Sequence, residues 1–132
     1  MSGSKRFLLD TNAVIGLLRA NPSLLDLAQQ ADWLGVSIIT QIEFLAFAGI
    51  SSDDVQLFTR FLDRVEIVGI GPHDNGLIGT AIRLRQEQRL KLPDAIILAS
   101  AIVKNAELVT ADQRLLDVAQ RLDFLHVRTF QS

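Results

Sequence analysis

The chain has 132 residues, of which 48% are hydrophobic and 21% are charged, and it carries a formal net charge of −2. This composition excludes a disordered chain and indicates a single packed domain over residues 1–132. The absence of cysteine excludes a disulfide framework, a thiolate zinc site and a cysteine nucleophile. The sequence shows neither an apolar run of the roughly 18 residues that a membrane span needs nor a signal peptide. We therefore expect a cytoplasmic protein that does not enter a membrane.

Short β-like runs alternate with longer amphipathic runs along the chain. In chain order, the sequence predicts strands at 6–10, 34–40, 65–70, 107–110 and 124–128. Helices are predicted at 11–20, 22–31, 41–49, 51–64, 73–89, 93–104 and 112–121. Such alternation is typical of a mostly parallel sheet of about five strands with helices on both faces, which is a three-layer α/β/α domain.

Four acidic residues fall where this fold would bring them to one edge of the sheet. Asp10 ends the first strand, Glu43 lies three residues beyond the end of the second, and Asp112 lies two residues beyond the fourth. Asp94 stands at the start of a helix, directly after Pro93. In parallel α/β sheets, ligands bind beyond the carboxyl ends of the strands. We therefore expect the four carboxylates to line one crevice.

Each acid also has a purely structural explanation. Thr40 and Glu43 have the spacing of a helix capping box, and Asp94 and Asp112 stand at helix starts, where the helix dipole favours negative charge. Asp94 fits this explanation least well, because the helix that it starts, "DAIILASAIVKN", is apolar on nearly every side. A charge at the start of a buried helix needs a partner.

Convergence of the four acids would favour a hard divalent cation. Carboxylates that lie close together repel one another unless a cation intervenes, and Mg²⁺ or Mn²⁺ prefers oxygen ligands. Cleavage of a phosphodiester by a metal-activated water is the natural chemistry of such a site. Without these four acids, the chain has 13 basic and 11 acidic residues. This balance is compatible with a polyanionic substrate, although the sequence pI of about 5.6 argues against binding nucleic acid by bulk charge alone.

Four segments resemble the PIN-domain family, most of all its VapC-like toxin ribonucleases of type II toxin–antitoxin systems. They are "LLDTNAVIGLL", "VSIITQIEFLAFAG", "KLPDAIILASA" and "LVTAD", which contain Asp10, Glu43, Asp94 and Asp112. The resemblance implies a Mg²⁺- or Mn²⁺-dependent endoribonuclease that leaves 5′-phosphate and 3′-hydroxyl ends. It implies that Asp10 and Asp94 contact the metal most directly and that Glu43 and Asp112 complete the acidic pocket.

The resemblance also assigns supporting residues and partners. Thr11 and Asn12 match the polar pair beside the first acid, and Thr110 matches a hydroxyl residue that orients a carboxylate or water. Members are commonly homodimers held by a small antitoxin, whose C-terminal segment covers the acidic pocket. We expect "AVIGLL", "LLDLA" and "EFLAF" to form the antitoxin groove or the core. Many relatives carry another Asp or Asn where this chain has Leu115 and Leu116, and the nearby Asp117 is rotated about 140° from Asp112 on a helix.

A basic segment, "RLRQEQRLK", precedes Asp94. It is either a solvated helix face, with Glu87 paired to Arg83 and Lys91, or a phosphate-binding site built on Arg85 and Arg89. The second reading predicts that these two arginines contact the RNA backbone.

Two other functions fit parts of the sequence. A haloacid-dehalogenase-like phosphatase also has Asp at the end of its first strand, but it needs a second acid where this chain has Asn12. A catalytically silent PIN-like module for interaction or RNA binding would use the acids as helix caps only. Loss of divalent-dependent cleavage on substitution of Asp94 would separate the nuclease from the silent module.

Overall fold

The computed structural model describes residues 4–122 and 126–130. Five strands are present in this part of the chain: β1 Arg6–Leu9, β2 Trp33–Ser37, β3 Glu66–Val68, β4 Glu107–Val109 and β5 Val127–Arg128. Seven helices accompany them: α1 Thr11–Leu18, α2 Pro22–Gln30, α3 Ile38–Leu45, α4 Ser52–Leu62, α5 Asn75–Gln88, α6 Leu92–Val103 and α7 Gln113–Arg121. The predicted α/β alternation is confirmed. Residues 124 and 125 of the predicted last strand lie outside the described residues.

All strand pairs in the sheet are parallel, and their order is β3-β2-β1-β4-β5. Strands β2 and β3 therefore lie on one side of β1, and β4 and β5 lie on the other side. Leu9 pairs with Val109 across the junction, and the Asp10 N–H donates to the Val109 carbonyl at 3.1 Å. This junction between β1 and β4 is the topological switch point, where parallel sheets open a crevice for ligands.

Two hydrophobic cores cover the two faces of the sheet. The alternation of side chains along β1 directs Leu8 to one core and Phe7 and Leu9 to the other. The Leu8 core contains residues of α5, α6 and α7, whereas the other core contains residues of α1 to α4 and the stacked rings of Phe44 and Phe58, 4.0 Å apart. The predicted three-layer arrangement is thus confirmed.

The predicted second strand is too long at its end. β2 stops at Ser37, and residues 38–40 form the first turn of α3 because the Ser37 hydroxyl caps it, accepting from the Ile39 N–H at 3.1 Å. The capping box predicted for Thr40 and Glu43 is therefore wrong. Thr40 is a buried residue inside the helix, and Glu43 lies one turn further along it.

Of the helices in residues 4–122 and 126–130, none has the length and apolar character required to cross a bilayer.

Candidate active site

Asp10 caps α1 and is buried at the switch point. Its carboxylate accepts the Ala13 N–H at 2.8 Å with one oxygen and the Thr110 hydroxyl with the other, and the residue is only 6% exposed. Burial raises the pKa of Asp10, and the charges of Asp112 and Glu43 raise it further, although the two hydrogen bonds act in the opposite direction. The Asp10 carboxylate therefore both caps α1 and belongs to the candidate site.

Asp94 is the third residue of α6 and is half-buried. Within the described residues its side chain accepts no hydrogen bond, so it does not cap the helix, although its place in the first turn of α6 is one that the helix dipole favours. Burial raises the pKa of Asp94, and so do the charges of Asp112 and Glu43, whereas Arg114 and Lys91 lower it. The net direction is upward, which means that the site disfavours the ionised carboxylate in the absence of a cation.

Asp112 caps α7 and is linked to Asp10 through one hydroxyl. Its side chain accepts the Arg114 N–H at 2.8 Å, and its own N–H donates to the Thr110 oxygen at 3.0 Å. The same Thr110 hydroxyl donates its proton to Asp10. Thr110 is fully buried, so it fixes the end of β4 against the end of β1. Thr110 thus contacts both acids, and its supporting role in the site stays a prediction.

Glu43 lies on the exposed side of α3 and is held by a second hydroxyl pair. The Thr11 hydroxyl donates to the Glu43 carboxylate at 2.6 Å, and the oxygens of Thr11 and Thr40 lie 3.4 Å apart. The Thr11 hydroxyl therefore links the Glu43 carboxylate to the Thr40 hydroxyl, and the shorter contact is the one with Glu43. Thr40 is 0% exposed, and sequence reasoning missed its contact with Thr11, which spans 29 positions of the chain.

Substitution of Thr40 should test this link. For the ribonuclease reaction that the sequence resemblance implies, we expect Thr40→Val to lower the rate about 10-fold, because groups that orient an active-site carboxylate contribute at about that level. Thr40→Ser should restore most of the rate, since it keeps the hydroxyl. Thr80→Val is a matched control, because the Thr80 hydroxyl bonds only to its own helix, at the Gly76 carbonyl. Equal losses in Thr40→Val and Thr80→Val, measured as initial rates, would show that the link has no specific role.

Asp112 and Glu43 each lie within electrostatic range of Asp10 and of Asp94, because both raise the pKa values of those two residues. Within the described residues, however, no three acidic or imidazole side chains lie close enough together to hold a metal ion. The donors are nevertheless all carboxylate and hydroxyl oxygens, which is the chemistry that a hard divalent cation prefers. The donor set thus fits such an ion in kind, and binding would require side-chain adjustment.

The remaining predicted residues differ in their surroundings. Asn12 is exposed on α1, where it lines a recess of about 830 Å³ together with Ala111. Arg85 is exposed on α5, and Arg89 is exposed just beyond the helix in a left-handed conformation, with φ of 56°. The basic residues that lower the pKa of Asp94 are instead Arg114 and Lys91. Sequence signals for them exist: Lys91 stands three residues before Asp94, and Arg114 stands two after Asp112.

The end of α5 also corrects one predicted ion pair. α5 stops at Gln88, so Glu87 and Lys91 are not one helical turn apart, and neither Lys91 nor Arg83 forms an ion pair with Glu87 in the described part of the chain. The positions where relatives carry a further polar residue are apolar here, since Leu115 is buried and Leu116 is half-buried. Asp117 accepts a hydrogen bond from Gln113 at 2.8 Å on its own helix.

A groove lined by apolar and charged side chains adjoins Glu43. A cavity of about 290 Å³ begins at Thr11 and Glu43 and continues between α1, α3 and α4. Phe47, at its rim, is 69% exposed. The cavity is lined by parts of the predicted "AVIGLL" and "EFLAF" segments, but by α4 instead of the α2 segment "LLDLA".

Comparisons with known proteins agree with this architecture. The family model of the PIN domain matches residues 7–121. A solved toxin–antitoxin complex from Klebsiella pneumoniae contains a chain 31% identical to this one, with a TM-score of 0.67 over 80% of this chain and 86% of that one. The VapBC2 complex of Rickettsia felis, bound to a promoter DNA fragment, matches at 20% identity and a TM-score of 0.76, over 96% and 99%.

A third match is the DNA-bound VapBC of Salmonella typhimurium, with 20% identity and a TM-score of 0.72 over 95% and 98% of the two chains. A search of curated protein sequences found no match. The family model covers most of the chain, and the fold is that of the VapBC structures. The chain therefore belongs to the PIN-domain family.

Proposed function

We propose that this protein is an endoribonuclease that requires a divalent metal, Mg²⁺ or Mn²⁺, and that it is the toxin of a toxin–antitoxin pair. The observation that carries the proposal is the buried carboxylate of Asp10 at the switch point, where Asp112 and Glu43 make its charge still more costly. A fold gains nothing from such repulsion unless a cation relieves it. The family membership makes nuclease chemistry the expected use of that cation.

Each residue of the candidate site has its own role in this proposal. Asp10 and Asp94 would hold the metal, and Glu43 and Asp112 would complete the acidic pocket by direct or water-mediated contact. When bound, the ion supplies a lowered pKa for a coordinated water and charge stabilisation for a phosphoryl oxygen. Thr110 orients Asp10 through its hydroxyl, and Thr11 does the same for Glu43. Asn12, exposed beside Thr11, is available to contact substrate.

The partner in this proposal is a small antitoxin. The support is the groove between α1, α3 and α4, which begins at Glu43, is lined in part by apolar side chains and carries the exposed ring of Phe47. A partner helix can bury apolar anchors in such a groove while the chain beyond it covers the acids. Several solved relatives are toxin–antitoxin complexes, which supports the same partner. We further propose that the protein acts in the cytoplasm, as one domain and as a homodimer.

The alternatives are less well supported. Membership of the PIN-domain family leaves the haloacid-dehalogenase-like phosphatase without a structural basis. A catalytically silent module is favoured by one observation, that no three potential ligands in the described residues are close enough to hold an ion. The experiment below decides between the module and the nuclease.

Expression in a bacterial host tests the proposal. We expect the protein alone to arrest growth and degrade RNA, and we expect co-expression of the neighbouring small open reading frame to restore growth. Asp10→Asn should abolish arrest, because it removes a carboxylate that holds the metal. Asp63→Asn, which changes an exposed acid at the end of α4, is the control and should arrest growth as the wild type does. Purified wild-type protein that cleaves no RNA in Mn²⁺ would favour the silent module instead.

A further inference from the structure

Two basic residues stand at the starts of the helices that carry Asp94 and Asp112. Lys91 is the N-cap of α6, three residues before Asp94, and Arg114 is the second residue of α7, two after Asp112. Both residues are exposed. Each basic residue therefore lies within one helical turn of an acid of the candidate site.

Lys91 and Arg114 are not engaged elsewhere. Within the described residues, their side chains form no hydrogen bond and no ion pair. Arg6 is held by the Lys104 carbonyl and Arg121 by Gln88. Arg60 and Arg85, which are also exposed, form no such contact within the described residues either, so what distinguishes Lys91 and Arg114 is their position beside the acids. The ion pairs in residues 4–122 and 126–130 are two others, Lys104 with Glu66 and Arg128 with Glu107. The charges of Lys91 and Arg114 therefore remain available to a ligand.

Positive charges at Lys91 and Arg114 are unfavourable for a site that binds only a cation. A basic group close to a divalent ion repels it, and the repulsion grows as solvent is excluded. The arrangement becomes favourable when an anion lies beside the acids, because the anion then contacts both the metal and the basic pair.

We propose that Lys91 and Arg114 bind the phosphodiester backbone of the RNA substrate next to the bond that is cleaved. The guanidinium of Arg114 can donate two parallel hydrogen bonds to one phosphate, while Lys91 contributes a mobile point charge. Contacts of this kind fix the position of the strand and carry no base preference. The inference rests on the proposed function and moves the backbone site away from Arg85 and Arg89, the residues that the sequence had suggested.

RNA binding at several salt concentrations tests the inference. The probe is a fluorescently labelled single-stranded RNA of mixed sequence, bound by protein with an intact Asp10 in Ca²⁺, with the RNA checked on a gel to be uncleaved, and followed by anisotropy. We expect Lys91→Gln and Arg114→Gln each to weaken binding about 5-fold at low salt. Each should also reduce the slope of log K against log salt by about 0.7, the value for one phosphate contact with a single strand.

Three control variants separate local contact from loss of charge in general. Arg60→Gln removes the same charge from an exposed position on α4 and should leave the slope unchanged. Arg85→Gln and Arg89→Gln test the alternative backbone site. Loss of slope in these two variants, with wild-type slopes in Lys91→Gln and Arg114→Gln, would overturn the inference.

Metal binding provides the second measurement. Removal of either basic residue should leave the Mn²⁺-induced rise in melting temperature equal to that of the wild type or larger, because a repulsion is lost. A smaller rise would show that these residues support the ion instead of the RNA, and the inference would be wrong. If wild-type protein cleaves RNA while both variants bind RNA normally, only this inference fails. If wild-type protein cleaves no RNA, the proposed function fails with it.

Discussion

Asp94→Asn should reduce metal-dependent RNA cleavage by about 10³-fold or more, equivalent to about 4 kcal/mol of transition-state stabilisation. The structure leaves Asp94 without a capping role, since its side chain accepts no hydrogen bond within the described residues. Its pKa is raised by burial and by Asp112 and Glu43. Asparagine keeps the size of the side chain and removes only the charge and one potential ligand oxygen. The measurement is the initial rate on single-stranded RNA in Mn²⁺, with chelator as the blank.

The same substitution should stabilise the protein when no metal is present. Removal of a carboxylate that its neighbours repel relieves a cost of folding, so the melting temperature in chelator should rise. A loss of activity together with a gain in stability cannot result from misfolding. Asp63→Asn, at an exposed helix end, should change neither property. Retention of wild-type cleavage by Asp94→Asn would remove Asp94 from the site.

The sequence predicted the order and type of the elements well, and it was least accurate where a local cap competed with strand propensity. Residues 38–40 are Ile, Ile and Thr, which are typical of strands, yet they begin α3 because the Ser37 hydroxyl caps the helix there. The pair predicted between Glu87 and Lys91 requires a helix that reaches Lys91, but Arg89 has a left-handed backbone and α5 ends at Gln88. Hydrophobic patterning determined which runs are buried, but single side-chain contacts determined the boundaries.

For the candidate site, strand ends were sufficient to place Asp10 and Asp112 at one edge of the sheet, whereas Glu43 and Asp94 lie on helices. Asp10 and Asp112 follow neighbouring strands, so topology alone brings them together. The contact between Thr40 and Thr11 could not be predicted, because it depends on how α3 packs against α1. The same holds for Arg114, whose direction depends on the rotation of α7, where Leu115 is buried in the core. The end of a strand can be predicted from sequence, whereas the rotation of one helix against another cannot.

Mn²⁺ should raise the melting temperature of the wild-type protein substantially and that of Asp10→Asn very little. An ion that binds only the folded state stabilises it by RT ln(1 + [L]/Kd), or about 2.7 kcal/mol at 100 times Kd. For a domain of this size, that corresponds to about 10 °C. Differential scanning fluorimetry with Mn²⁺ titrated against chelator gives the shift. Equal shifts in the wild type and Asp10→Asn would mean that the ion binds elsewhere.

The pH dependence of the metal-free protein provides an independent check on the same charges. The pKa values of Asp10 and Asp94 are raised, so in chelator the folded state holds protons more tightly than the unfolded state does. Their destabilising contribution is therefore absent below the unfolded pKa of about 4 and develops as pH rises through the raised folded values. Saturating Mn²⁺ should remove this loss of stability, because it favours the ionised carboxylates. Denaturant unfolding at a series of pH values, with Mn²⁺ or chelator, measures both slopes, and identical slopes would show that the ion does not bind these acids.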